Sequence, residues 1–281
     1  MSFIKKAVIP VAGLGTRMLP ASSTVSKCMF PVVGKPVIQY VVEEAIEAGI
    51  EEIVFVVGSN RDAIERYFSD STLSHMKLLR EQCAFHFVVQ EQLNGLGGAV
   101  LCARDLIGNH TFAVLLGDAI MQGRPPVISQ LIEHMVADMG AVIGVEHVPP
   151  EKVSRYGIVD VNRISEKLFA VTGLVEKPTL EAAPSNLAIA ARYILDAEIL
   201  TLLDRTKPDA KGEIQLTHAI QSLVQTKPVH ALRFSGQRFD IGNKLDFVKT
   251  NVAIALDDPN LHHELVGWLQ STLRNKSEST D

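Results

Sequence analysis

Apolar residues in this chain fall in short runs punctuated by glycine and proline, and their rhythm predicts the elements. Residues 7–11 form an apolar, β-rich run that breaks at Ala12-Gly13-Leu14-Gly15, as a buried strand does before a tight turn. Residues 36–48 read as a helix. Proline stands in its first turn, Val37, Tyr40, Val41 and Ile46 supply the apolar positions, and Gly49 stops it. A strand over 53–57 then leads into a helix beginning near Ser59-Asn60, and a strand over 85–89 into a helix over 96–106. A further strand covers 112–116. Strands alternating with helices imply a parallel sheet covered on both faces.

The rhythm changes after about Pro126. One helix is followed by strand-like runs at 141–148, 157–161, 168–175 and 187–194, with little helix between them. Helices return at 197–203 and 216–224, an apolar run covers 229–234, and 243–255 predicts a late helix. The polar stretch 274–281 predicts a frayed tail. The expected fold is α/β: a Rossmann-like, mostly parallel central sheet flanked by helices, with an inserted β-rich part. Its expected division is 1–125, 126–235 and 236–281.

Composition narrows the function. The chain has 281 residues, 47% of them hydrophobic, enough for one large domain carrying a smaller addition. A formal net charge of -5 argues against general affinity for nucleic acid or anionic membrane. Any chemistry on anions must therefore rest on a few cations placed in a pocket. Cys28, Cys83 and Cys102 are scattered and form no CxxC pair, which fits reduced thiols in the cytosol. Lys5 and Lys6 precede a short apolar stretch that runs straight into the glycine turn, without the long apolar region of a secretion signal. No apolar run is long enough to span a bilayer, so the expectation is a soluble, cytoplasmic protein.

Candidate chemistry begins in the loop from Gly13 to Pro20. Glycines let the backbone turn tightly and bring N–H groups onto a phosphate. A dinucleotide fingerprint would need a third glycine where Met18 stands, and no Gly-Lys-Ser/Thr follows. What the loop holds instead is Arg17, a permanent fork of donors suited to a polyphosphate. Lys27 and Lys35 add cations within the same proline-bounded segment. Asp118 follows Gly117 at the end of the 112–116 strand, at the sheet edge where open α/β folds bind ligands. Asp240 comes far later, just before Gly242. Taken singly, each aspartate reads as a turn or capping residue. The nine histidines show no metal-ligand spacing, and no Gly-x-Ser-x-Gly elbow is present.

Gly13 to Pro36 resembles the signature of the sugar-1-phosphate nucleotidyltransferases: a GxGTR-type loop, a Lys-x-Met-hydrophobic-Pro element at Lys27, then Lys35-Pro36. Ile38-Gln39-Tyr40 resembles the variant found in that family's bacterial UTP–glucose-1-phosphate members. The similarity continues through Gly95-Leu96-Gly97, Val175-Glu176-Lys177-Pro178, the stretch from Ala183 to Ala188, Gly212-Glu213-Ile214-Gln215-Leu216-Thr217 and Asp240-Ile241-Gly242-Asn243-Lys244, spanning nearly the whole chain.

The resemblance implies a uridylyltransferase joining UTP and glucose 1-phosphate with release of pyrophosphate. It assigns Ala12, Gly13, Gly15 and Thr16 to nucleotide contact, Arg17 to the β- and γ-phosphates and Lys27 to charge at the α-phosphate. Gln90 and Gly95 would meet the uracil. Tyr156, Gly157, Glu176, Lys177 and Asn186 would meet the sugar phosphate in a sugar-binding middle part. Asp118 and Asp240 would hold Mg²⁺. A homodimer or homotetramer is implied, with 243 onward as a possible contact surface, and neither nucleic acid nor membrane as a partner.

The pattern is departed from at several points. Ser26 and Cys28 flank Lys27 where the family has Pro and Glu, Gly98 replaces a His, and His218 stands where Asp is usual. The segment around 70–82 is also shorter than in close relatives. Two alternatives stay open at this level: a non-catalytic regulatory paralogue, and the same chemistry on dTTP or another hexose 1-phosphate.

Overall fold

The structure, a computed structural model, describes residues 4–58 and 62–278. Its first strand, β1 (Lys6–Pro10), runs into a loop of short 3-10 turns and then a tiny ribbon, β2 (Pro31–Val32) and β3 (Lys35–Pro36). Helix α1 (Val37–Glu47) starts directly after Pro36, whose fixed φ suits a helix entry. β4 (Glu52–Val57) follows. Next come α2 (Asp62–Ser69), α3 (Ser74–Gln82), β5 (Ala84–Val89), α4 (Gly95–Cys102) and α5 (Arg104–Ile107). The expected start of α2 at Ser59-Asn60 lies outside the described residues. The single helix expected over 96–106 is two, separated at Ala103.

β6 (Phe112–Leu115) turns sharply into β7 (Ala119–Gln122), and α6 (Val127–Glu133) leads to β8 (Ala141–His147). β9 (Gly157–Arg163), β10 (Leu168–Glu176) and β11 (Leu187–Leu195) come next, then α7 (Glu198–Arg205) and α8 (Leu216–Leu223). β12 (Val229–Arg233), β13 (Gln237–Asp240), α9 (Lys244–Asp257) and α10 (His262–Glu278) end the described chain. α10 takes in most of the tail read as frayed; residues 279–281 lie outside the described residues.

The main strands form a nine-stranded sheet in the order β5-β4-β1-β6-β11-β8-β12-β10-β9. β5, β4, β1 and β6 are parallel, β12 is parallel to β8, and the remaining pairings are antiparallel. The runs read as a β-rich part thus extend the same sheet beyond β6. Strand alternation builds two hydrophobic layers. Ala7, Ile9, Ile53, Phe55 and Val57 face the layer under α1, while Val8, Val54 and Val56 face the layer under α4, α7 and α8. A third, small cluster joins Val32, Ile120, Phe239, Ile241 and Ile254 beneath α9. It ties the end of the chain to the first ribbon and to the antiparallel pair β13–β7.

In the parallel half, the ends of β1, β5 and β6 deliver their loops to one edge, the arrangement that makes a crevice in open α/β sheets. Aromatic rings pack against the parallel strands behind that edge. Phe55 is fully buried and stacks on Phe68 and Phe87, with ring centroids 4.8 and 5.2 Å apart. Phe55→Ala is expected to cost about 3–5 kcal/mol, read as a lowered urea midpoint at unchanged m-value.

Candidate active site

The loops at this edge enclose a cleft of about 620 Å³. Its lining contains Ala12, Gly13, Gly15, Thr16, Arg17, Lys27, Gln90, Gly95, Asp118, Tyr156, Gly157, Glu176, Lys177 and Asp240. Of the residues expected to carry the chemistry, Asn186 alone lies off that lining. Its side chain meets His147 Nδ1 at 3.0 Å beside the paired strands β8 and β11.

One wall is the loop after β1. Gly15 has φ 60°, a left-handed conformation that costs glycine little. A Cβ there would stand 3.2 Å from Ser22 Cβ and 3.4 Å from Lys27 Cβ, so the chain folds back closely enough to bring Lys27 beside Gly15. Ser22 Oγ donates to the Gly15 carbonyl at 2.8 Å and closes the loop. Lys27 then pairs with Asp118, and 19% of its side chain stays accessible. Burial pushes the Asp118 carboxyl up, but the Lys27 ammonium outweighs it and holds the group below the usual carboxylate range.

Asp240 reaches the same place from the far end of the chain. The β13–β7 ribbon sets Asp240 opposite Ala119, and Ile241 N–H donates to the Asp118 carbonyl at 3.3 Å. The two aspartates are therefore neighbours across a ribbon. Asp240 Oδ1 accepts from Gly242 N–H at 2.7 Å. A Cβ on Gly242 would lie 2.8 Å from Asp240 Oδ1 and 3.6 Å from Arg17 Nη2, which brings Arg17 to the same corner.

The turn that presents Asp118 is held from behind. Arg192 is fully buried, and its guanidinium donates to Glu44 from Nε at 3.0 Å and from Nη2 at 2.6 Å. The same Nη2 donates to the Ala119 carbonyl at 2.9 Å, and Nη1 reaches the Leu116 carbonyl at 3.5 Å. One planar cation thus spans Leu116-Gly117-Asp118-Ala119 from both ends. Arg192 is turned inward at an irregularity of β11, where the register slips between Ile189 and Tyr193 and Ala191 takes φ 62°.

The opposite wall is built from β9, β10 and the start of α8. Glu176 Oε1 pairs with Lys177 at 2.9 Å, and Glu176 Oε2 accepts from Thr217 Oγ1 at 2.6 Å. Lys177 has φ 45°, a conformation costly for a residue with a side chain and characteristic of constrained sites. Between the walls lies Arg238, a cation that the motifs did not single out. Its Nε donates to Glu146 at 2.7 Å, Nη1 stands 3.6 Å from Asp240, and the guanidinium lies 4.7 Å from the Tyr156 ring centroid. Burial alone would lower its pKa, but the Glu146 carboxylate outweighs this and raises it. Strand alternation was the available signal, since Arg238 sits two residues before Asp240 and so faces the same way. Thr217 and Gln215 also line the cleft. Both belong to the motif from Gly212 to Thr217.

A cleft at the carboxyl edge with clustered cations and a carboxylate pair defines a nucleotide-handling α/β protein. Comparison with known proteins makes the class specific. The nucleotidyl transferase family pattern matches residues 6–256. UTP--glucose-1-phosphate uridylyltransferase of Bacillus subtilis (strain 168) is 42% identical over 99% of this chain and 100% of its own length. A UDP-glucose pyrophosphorylase solved with UDP-glucose superposes with a TM-score of 0.86 at 38% identity, over 91% of this chain and 100% of that one. A UTP-bound UGPase from Acinetobacter baumannii gives a TM-score of 0.84 at 43% identity, over 95% and 99% of the two chains. The chain belongs to the nucleotidyl transferase family, on the branch of the UTP–glucose-1-phosphate uridylyltransferases.

Two measurements test this geometry. Arg192→Met leaves the Glu44 carboxylate buried and unpaired, and should cost about 3–5 kcal/mol in urea unfolding, whereas Arg192→Met combined with Glu44→Leu should recover most of the loss. Burial pushes the thiols of Cys28 and Cys83 up to about 12, and both are nearly inaccessible at 2% and 4% exposure. Alkylation of the native protein at pH 8 should therefore modify the half-buried Cys102 well before either of them.

Proposed function

We propose that this protein transfers UMP from UTP to glucose 1-phosphate, forming UDP-glucose and pyrophosphate. The observation that carries the reading is the convergence of Arg17, Lys27, Asp118 and Asp240 in one cleft opposite Glu176 and Lys177. The nucleotide lies along residues 1–125 at the parallel half of the sheet, with its phosphates over Ala12, Gly13, Gly15 and Thr16. The sugar phosphate lies on the 126–235 side, against Tyr156, Gly157, Glu176 and Lys177. Residues 236–281 return Asp240 to the site.

The donor set suits Mg²⁺. Among the described residues no group of three or more His, Cys, Asp or Glu gathers around a point, so a metal here must complete its shell with phosphate oxygens and water, as Mg²⁺ does. Asp118 and Asp240 would hold it, and when bound it would offset charge on the phosphates of UTP. The chain's own residues do the rest. Arg17 grips the outer phosphates with its fork of donors, and Lys177 orients the phosphate of the sugar. A phosphate oxygen of glucose 1-phosphate forms a bond to the α-phosphorus of UTP while the bond from that phosphorus to the bridging oxygen of pyrophosphate breaks. The nucleophile is already an anion, so no side chain has to remove a proton. Lys27 meets the charge that builds at the α-phosphate, and it does so by leaving Asp118. Positioning two mutually repelling anions is the main task.

We place the enzyme in the cytoplasm as a homodimer or homotetramer. No helix among the described residues is long and apolar enough to cross a membrane. Leu245 and Val248 on α9, with Trp268 and Leu273 on α10, expose apolar surface that supports self-association.

Lys27→Ala and Asp118→Asn should each lower kcat about 100- to 1000-fold while circular dichroism stays unchanged. A pyrophosphate-release assay with UTP, glucose 1-phosphate and Mg²⁺ measures this, and near-normal turnover in both variants would refute the assignment. Dialysis against EDTA should abolish turnover, and added Mg²⁺ should restore it.

A further inference from the structure

Behind Gln90 and Gly95 at the base end of the cleft, and outside its lining, stands a pair of residues with no assigned role, Asn94 and Gly98. Asn94 is the residue that caps α4 at its N-terminus, a position where Asn normally accepts a backbone N–H of the first turn. Here its side chain makes no such bond. Its Oδ1 accepts instead from Gln90 Nε2 at 3.0 Å. The other hydrogen of that amide goes to the Gly95 carbonyl, 3.2 Å away. A backbone carbonyl can only accept, so the Gln90 nitrogen must face it and the sense of the amide is set. Both N–H groups of Gln90 are thereby spent within the protein. Its carbonyl oxygen is what remains to meet a ligand.

Gly98 makes this arrangement possible. A Cβ built on Gly98 would lie 1.8 Å from Asn94 Oδ1 and 2.5 Å from its carboxamide carbon. Any side chain at 98 therefore expels the Asn94 amide. The backbone of Asn94 cannot yield in its place, because the Asn94 carbonyl accepts from Ile214 N–H at 2.6 Å and Gly97 N–H donates to the Ile214 carbonyl at 2.8 Å. The departure from the family pattern at Gly98 thus has a structural counterpart, since the space it frees is filled by Asn94.

We infer that Asn94 and Gly98 form a base-selectivity device, in which Asn94 pins the Gln90 amide so that only its carbonyl oxygen is offered to the nucleotide. A fixed acceptor welcomes the N3–H of a uracil or thymine and repels the bare N3 of a cytosine. An amide free to rotate would serve either, as a donor or as an acceptor. The inference rests on the reading of Gln90 as the residue that meets the base, and it makes Asn94 a positioning residue that acts through Gln90.

The test is the ratio of kcat/KM for UTP to that for CTP, with glucose 1-phosphate and Mg²⁺ held constant. Asn94→Ala removes the pin, and Gly98→Ala displaces it. Each should lower the ratio about three- to tenfold, the worth of one net hydrogen bond. The double variant should fall no further than either single one, because Gly98 acts only by making room for Asn94. Asn94→Asp keeps an acceptor at the same reach and should keep the ratio. Gly98→Ala should keep its circular dichroism spectrum and a cooperative thermal transition while its selectivity falls, which a loss of fold could not produce. An unmoved ratio in both alanine variants, losses that multiply in the double variant, or a lost ratio in Asn94→Asp would each overturn the inference while leaving uridylyl transfer standing. Absence of UTP turnover in the unmodified protein would remove uridylyl transfer itself, and this inference with it.

Discussion

The site hangs on a buried ion pair that never touches the cleft solvent. Arg192 and Glu44 join β11 to α1 in the interior, and the guanidinium that satisfies Glu44 also satisfies the carbonyls on either side of Gly117-Asp118. Glu44 in turn accepts from the Ile128 N–H at 3.1 Å, so the first turn of α6 is fixed to the same point. A buried pair of this kind adds little net stability over an apolar substitute. Its value lies in geometry, because every donor and acceptor has one place to go and the Asp118 turn is determined by all of them together.

Charge economy explains why so few residues suffice. The chain is acidic overall, yet Arg17, Lys27, Lys177 and Arg238 all border one cleft. Three of them are held by carboxylates there: Lys27 by Asp118, Lys177 by Glu176, and Arg238 by Glu146 and Asp240. These pairs keep the cations in place before any anion arrives. They also temper the local field, so the cleft is a set of latent positive charges that phosphate can recruit by exchange.

Much of this was legible in the residues themselves. The strand ahead of the glycine turn, the helix after Pro36 and the strand ending near Asp118 appear within a residue or two of their expected limits, because each is an apolar run with a definite stop signal. The convergence of Asp118 and Asp240 could be inferred only from family resemblance, since the ribbon that joins them is made of two four-residue strands with ordinary composition. Arg238 escaped notice for the same reason. Asn94 was invisible because its meaning depends on an absence, the missing side chain at Gly98. The last turns of α10 were hidden by the polar run from 274, which reads locally as a frayed tail. The β-rich middle was recognised as strands, but nothing local reveals that those strands extend the sheet already begun by β1.

The β13–β7 ribbon has a consequence for how the protein is made. Synthesis runs from the N-terminus, so the glycine loop, Arg17, Lys27 and Asp118 leave the ribosome while Asp240 has yet to be added. The parallel strands β5, β4, β1 and β6 come from the first part of the chain, and their edge of the cleft can take shape early; the carboxylate pair is closed only when the β13 strand docks. A truncated or nascent chain therefore lacks Asp240 and with it half of the carboxylate pair, and the cleft is complete only once the chain is.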